Sequence, residues 1–268
     1  MIKYFISTGC SFTEIPMQEF HDKTYVDIDQ YPKFTFSWPL HLNNYLKTIP
    51  CYKGKGASGN GIISRATIFE VLKALQTYKP EDILVGIMWS GAYRQEVYST
   101  NIQFEYHKIT KGNVNTDNPA SVGGLSNFYK VMPYWEDELS KMYYKNIYDD
   151  IGAYIQTVEN ILRVQWFLKQ NKIKYFMSQY YYPTFPDSEE IKNHPDYKYL
   201  HDAIDFNEWL DVESEFDWCC KFQDPRTWDN LPISDPNAEF VFKHPNTIQH
   251  KAFTEQVIIP HLQKKGYI

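Results

Sequence analysis

The sequence predicts a three-layer α/β domain, and three observations carry that prediction. Residues 82–89, Asp-Ile-Leu-Val-Gly-Ile-Met-Trp, are almost continuously apolar, as a central parallel strand covered on both faces must be. Two further runs, 3–7 and 172–180, are rich in the strand formers Tyr, Phe and Ile. Between these runs lie segments whose apolar residues recur with a helical period. Strands alternating with helices build a parallel sheet with helices on its faces. A chain of 268 residues is long enough to bury a sizeable core, and we read residues 1–268 as one domain with insertions over about 99–135 and 183–242.

The elements follow in order. Strand 3–7 runs straight into Thr8-Gly9-Cys10-Ser11-Phe12-Thr13. Gly9 permits a sharp turn, and a small polar cluster after a first strand is where α/β folds place active groups. Residues 14–36, with Pro16 and Pro32, read as loop. A helix is expected over 38–46, with Trp38, Leu42, Tyr45 and Leu46 on one face. Pro50 ends that stretch, and Cys51 and Tyr52 belong to a short second strand. Gly54 to Gly61 is the most glycine-dense part of the chain. A helix over 62–77 follows, with Ile63, Ala66, Ile68, Val71, Leu72 and Leu75 as its apolar face and Pro80 beyond its end. Residues 99–135, rich in Asn, Gly, Thr and Ser, read as a long excursion. A long helix or a helix pair spans 136–170, with a stripe of Tyr154, Val158, Ile161, Leu162 and Gln165 widened by Ile151, Ile155 and Trp166. Residues 172–180 form another parallel strand, 183–242 an aperiodic insertion near the sheet edge, and 247–265 a terminal helix through Phe253, Val257 and Leu262 despite Pro260.

Composition narrows the function. Lys and Arg total 27 against 33 Asp and Glu, a net charge of -6, which favours solubility and gives no general attraction for nucleic acid. Aromatics make up 17% of the chain, with 22 Tyr, and suit either a ring-lined groove or many half-buried surface rings. The four cysteines, at 10, 51, 219 and 220, match neither a zinc pattern nor a disulfide framework, so a reducing compartment, the cytoplasm, is expected. The first apolar run is too short for a signal-peptide core, and no stretch approaches a membrane span. His194, His201, Asp202 and Asp205 have no specific metal spacing and read as solvated loop residues. Neither metal nor cofactor is expected.

In an open parallel sheet the carboxyl ends of the strands gather on one edge. Ser11 follows the first strand, the glycine loop the second and Ser90 the third, while His244 precedes the terminal helix. A serine hydroxyl becomes a nucleophile when a base takes its proton, and His244 is the best candidate base because imidazole titrates near neutrality. Pro245 restricts His244 to extended or turn geometry. The plainer roles are an N-cap for Ser11 and a surface or capping position for His244. The glycine loop can aim backbone N–H groups at a developing oxyanion, with Gly59 suited to close approach and the Asn60 amide as a further donor. Gly54, Gly56 and Gly59 also spell Gly-x-Gly-x-x-Gly. A dinucleotide site needs a strong strand before that string, and residues 46–53 make a poor one. Glu81 or Asp82 stands at a tolerable distance for its acidic residue but is tied to the next strand. Arg94 suits an anionic substrate group, or pairs with Glu96 or an insertion carboxylate.

These segments together resemble the SGNH (GDSL-type) hydrolase superfamily, as a divergent member. Gly9-Cys10-Ser11-Phe12-Thr13 resembles its first motif, Gly-Asp-Ser-x-Ser/Thr. Gly56-Ala-Ser-Gly59-Asn60 resembles the second, and His244-Pro245 the last, Asp-x-x-His-Pro, with His250 also suiting that region. The resemblance implies a flavodoxin-like α/β/α fold and hydrolysis of carboxylic esters, often acetyl or longer acyl esters. Ser11 would be the nucleophile and His244 the base, with the Gly59 and Ser11 backbones as oxyanion donors. Three departures stand out: Cys10 replaces the motif Asp, Val241 occupies the place of the triad Asp, and Trp89-Ser90-Gly91-Ala92-Tyr93-Arg94 stands where Gly-x-Asn-Asp is expected. Asn60 or Ser90 would then replace the missing Asn donor, and Asp235, Glu239 or a backbone carbonyl would orient the imidazole. The expectation is a serine esterase acting on a small-molecule ester, such as an acyl or acetyl ester of a carbohydrate. The rivals are a non-catalytic binding or assembly protein with a protein partner, on a degenerate hydrolase scaffold, and nucleotide binding by the glycine loop.

Overall fold

Alternation of side chains along four strands decides the architecture. The structure, a computed structural model, describes residues 1–15, 20–30, 36–98, 128–181, 184–221 and 244–268. Strands β1 (Tyr4–Gly9), β2 (Ile49–Gly54), β3 (Ile83–Trp89) and β6 (Lys174–Gln179) form one sheet in the order β2-β1-β3-β6, and every pairing is parallel. All seven residues of β3 are buried, which places the most apolar run of the sequence inside the sheet.

Successive side chains of a strand point to opposite faces, and each face has its own core. Phe5, Tyr52, Leu84, Met88 and Phe176 pack with Trp38, Leu40 and Leu42 of helix α1 (Trp38–Leu46) and with Phe253, Ile258 and Leu262 of the terminal helix. Ile6, Cys51, Val85, Ile87 and Met177 pack with Ile63 and Val71 of α2 (Asn60–Ala74) and with Val158, Ile161, Leu162 and Leu168 of α4 (Asp150–Gln170). The fold is therefore mixed α/β, a parallel four-stranded sheet flanked by helices on both sides. Each such aliphatic or Phe side chain contributes about 1.5–3 kcal/mol when fully buried.

Three of the helices begin at side-chain caps. Asp137 accepts from Ser140 N at 2.8 Å to start α3 (Glu138–Asn146), and Asp149 accepts from Gly152 N at 2.9 Å to start α4, each satisfying an otherwise orphaned donor. Asn246 and Gln249 make a reciprocal capping box at the head of the terminal helix. That helix runs through Thr247–Phe253, a π-turn over Thr254–Ile258 and Ile259–Lys264. Pro260 can neither donate to the preceding turn nor fit against its carbonyl. The widened turn just ahead of it is the local adjustment that keeps the helix going.

Two features differ from the sequence reading. The apolar stripes are narrower than counted: Tyr45 and Leu72 are each 51% exposed and Trp166 is 57% exposed, because each helix covers the sheet with only part of its circumference. The segment read as an excursion over 99–135 is framed by a two-stranded antiparallel ribbon, β4 (Gln95–Tyr98) with β5 (Phe128–Val131). Residues 99–127 lie outside the described residues. Of the segment 183–242, residues 184–221 hold three short helices, α5 (Glu189–Lys192), α6 (Pro195–His201) and α7 (Glu215–Lys221), and the rest lies outside the described residues. Among the described residues no helix is long and apolar enough to cross a membrane.

Burial inside α1 has a measurable consequence. His41 is 7% exposed and its Nε2 lies 3.2 Å from Phe36 O. Burial, helped by the neighbouring His250, pushes its pKa down to about 3. The unfolded chain binds this proton below about pH 6.5 and the folded chain does not, so stability is complete above that pH and falls as the solution is acidified. Denaturant titrations at pH 7 and pH 5 should show His41→Gln losing about 2 kcal/mol less than the wild type between the two values. Equal losses would refute a neutral buried His41.

Candidate active site

The carboxyl edge of the sheet brings the two ends of the chain together. β1 passes directly into a 3-10 turn, Ser11–Thr13, closed by Thr13 N–H to Cys10 O at 3.0 Å. A Cβ on Gly9 would lie 2.3 Å from Thr13 Oγ1 and 3.0 Å from Met88 O, so glycine is required for the turn to fold back over the strand end. The reason is close approach and not a left-handed backbone, since Gly266 is the only positive-φ glycine among the described residues.

The turn presents Ser11 Oγ at 2.7 Å from His244 Nε2, across 233 positions of chain. In the tautomer protonated at Nδ1, the hydroxyl donates to Nε2, the arrangement a general base needs. His244 is anchored on both sides. Pro245 after it is buried and leads into the Asn246–Gln249 capping box, and the Phe12 ring lies 4.8 Å from the imidazole. Phe12 in turn meets Tyr180 edge-on at 5.1 Å.

The glycine loop approaches Ser11 through Gly56. A Cβ there would lie 4.0 Å from the Ser11 Cβ and 3.1 Å from Glu14 Oε2. Gly56 N–H donates to Glu14 Oε2 at 2.7 Å, and Lys130 Nζ donates to Gly56 O at 2.5 Å. Gly59 serves another close approach, because its Cβ would fall 2.3 Å from Arg94 O. The Asn60 amide is fully engaged: Nδ2 donates to Ser90 O at 2.9 Å and to Thr157 Oγ1 at 3.2 Å, while Oδ1 accepts from Ser90 N at 2.7 Å. Asn60 thus clamps the start of α2 to the end of β3. The Ser90 hydroxyl is buried without a hydrogen-bond partner.

Arg94 is 6% exposed and its guanidinium lies 4.5 Å over the Tyr180 ring, a cation–π contact. It stands beside the buried Cys10 thiol, whose pKa burial pushes up and Arg94 partly draws back. The expected pairing with Glu96 is not formed, because Glu96 Oε1 holds Arg65 Nη2 at 2.6 Å. Nε and Nη1 of Arg94 are buried with no hydrogen-bond partner.

Lys130 on β5 went unnoticed in the sequence. It is 3% exposed, and burial, with Lys55 acting the same way against Glu14, lowers its pKa to about 8. Its only signal is a lone cation in the four-residue run Phe-Tyr-Lys-Val, too short to declare a face.

Other candidates are placed elsewhere. His250 Nδ1 lies 2.6 Å from Glu215 Oε1 in the core. Asp202 pairs with Lys198 at 2.6 Å, Asp205 with Lys169, and His201 packs on Phe185 and Tyr197. No group of three or more His, Cys, Asp or Glu among the described residues is arranged to hold a metal. Asp82, the acid a dinucleotide site would need, pairs with Lys3 at 2.8 Å just before β3, at the opposite edge of the sheet from the glycine loop. Asp235, Glu239 and Val241 lie outside the described residues.

A family model described as "Family of unknown function (DUF6071)" matches residues 21–268, a span that takes in Arg94, Lys130 and His244 and begins after Ser11. No curated protein and no solved structure matches the chain.

Proposed function

The chain belongs to the family of unknown function DUF6071, and we propose that it is a serine esterase of SGNH type. The observation that carries this reading is the 2.7 Å contact between Ser11 Oγ and His244 Nε2, made by residues from opposite ends of the chain at the edge where α/β sheets bind ligands. The sheet order, 2-1-3-4 when its strands are numbered by themselves, agrees with the flavodoxin-like arrangement the resemblance implies.

Nε2 of His244 takes the Ser11 proton as Oγ bonds to the ester carbonyl carbon. The carbonyl oxygen becomes an oxyanion, received by backbone N–H groups at Ser11 and in the glycine loop, with Gly59 as the donor the resemblance implies. Collapse of that intermediate breaks the C–O bond to the alcohol, which leaves with the proton from Nε2. Water then attacks the acyl-enzyme, gives a proton to Nε2, and the acid departs as Ser11 Oγ is reprotonated. An acyl or acetyl ester of a carbohydrate is the substrate class we favour, aromatic side chains suiting a sugar face. A reducing cytoplasm accords with four free thiols.

The second reading, a binding or assembly protein on the same scaffold, is favoured by the neutral buried Cys10 where the motif has Asp. A fluorophosphonate probe separates the two. The esterase should be labelled stoichiometrically on the peptide containing Ser11, with His244→Ala slowing labelling at least about 100-fold. A folded protein left unlabelled at saturating probe would reject the hydrolase.

A further inference from the structure

We propose that Arg94 and Lys130 form a seat for an anionic group of the substrate, a carboxylate or a phosphoryl group, so that the ester presented to Ser11 is an acidic one. This rests on Ser11 being the nucleophile.

Arg94 is the central observation. A guanidinium taken out of water is costly unless it is paired, yet Arg94, 6% exposed, forms no ion pair with a described carboxylate. Tyr180 covers its face, which leaves the donors on its edge unused: Nε and Nη1 are buried and unpartnered. They lie on different sides of the guanidinium, so each offers its own charge-assisted donor to an oxygen of a carboxylate or phosphate. Glu96, the carboxylate nearest in sequence, is committed to Arg65. The position beside the nucleophile, where an Asp would neutralise the guanidinium, is the thiol of Cys10, kept protonated by burial.

Lys130 is independent support. It is buried to 3% exposure, and its one hydrogen bond among the described residues, to Gly56 O, neutralises no charge. The groups that act on it electrostatically are Lys55 and Arg94 on one side and Glu14 and Glu96 on the other; Glu96 is taken by Arg65, and Glu14, hydrogen-bonded to Gly56 N–H, forms no ion pair with Lys130 among the described residues. Gly56 joins this lysine to the nucleophile, because a Cβ on it would lie within 4.0 Å of the Ser11 Cβ. Two buried cations that form no ion pair among the described residues, one beside Cys10 and one beside the loop that touches Ser11, would hold an anion close to the reacting carbonyl.

The test uses the full chain in two arms. In the first, inactive Ser11→Ala protein is titrated calorimetrically with succinate and, separately, with inorganic phosphate. Saturable binding is expected, weakened at least about tenfold by Arg94→Gln and by Lys130→Met and partly kept by Arg94→Lys. The tighter of the two anions names the group. In the second, active protein is compared on 4-nitrophenyl hemisuccinate and 4-nitrophenyl acetate. The ratio of kcat/KM should favour the acidic ester at least about tenfold and approach unity in Arg94→Gln. Turnover of both esters at equal efficiency without anion binding overturns the seat and leaves the Ser11 reading intact. Anion binding that weakens in the variants, with no ester turnover, upholds the seat and overturns the esterase. Binding of equal strength in wild type, Arg94→Gln and Lys130→Met overturns the seat whatever the turnover.

Discussion

Ser11→Ala is expected to lower ester turnover at least about 1,000-fold while leaving the unfolding midpoint nearly unchanged. The two halves of this result have separate causes. Loss of activity follows because Ser11 Oγ is the hydroxyl that His244 Nε2 holds at 2.7 Å. The neighbouring Ser90 hydroxyl is fully buried, behind a backbone clamped by Asn60. Stability is retained because Ser11 is only partly buried, and the turn around it is held by backbone groups and by Gly9 packing. His244→Ala should cost a similar factor. The double variant should be about as inactive as either single one, since a nucleophile and its base act as a unit. Steady-state rates on 4-nitrophenyl acetate check this. Multiplicative losses, or a Ser11→Ala protein that turns over at the wild-type rate, would remove the serine mechanism.

How far the sequence carried this site depends on the physics of each part. Strand β3 was legible because burial on both faces leaves a nearly unbroken apolar run, and α1 because Trp38, Leu42 and Leu46 recur with a helical period. Ser11 and His244 were legible because each sits where the chain changes direction, one after Gly9 and the other before Pro245. The partners of Arg94 were not legible. Whether Glu96 meets Arg94 or Arg65 depends on the twist of a four-residue strand and on α2 lying beside it. Asn60 was read as a free donor because its spacing put it beside the glycine loop. What the sequence does not encode locally is that Ser90, thirty residues on, takes up its oxygen and one amide hydrogen and that Thr157 takes the other. Lys130 was hidden for the same reason: a strand of four residues has too short a period to show which side chains point inward.

The buried pair behind His244 carries the largest expected effect on stability. Glu215 on α7 is 0% exposed and His250 2% exposed. Burial pushes the Glu215 carboxyl well above its usual range and His250 down to about 3, so the carboxyl keeps its proton and donates to His250 Nδ1. Glu215→Ala leaves that nitrogen without its partner and a cavity in a closed core, and should cost about 2–5 kcal/mol, read from denaturant unfolding. Glu215→Gln keeps a donor at the same place and should cost about 1 kcal/mol. The effect should reach the candidate site, because α7 also holds the terminal helix through Gln249 Nε2 to Cys219 O at 3.3 Å and Trp218 against Phe253 at 5.5 Å. The first turn of that helix fixes His244. Turnover in Glu215→Ala should therefore fall while the chain is still folded, with Glu215→Gln restoring it. The sign of the pH dependence gives an independent check. A carboxyl whose folded pKa is raised contributes stability fully below its unfolded value of about 4.5 and loses it as pH rises toward the folded value. Relative to the wild type, Glu215→Gln should flatten the stability curve on its alkaline side. A wild type and a Glu215→Gln variant with parallel curves above pH 5 would show that this carboxyl is ionised in the fold, and the neutral pair would have to be abandoned.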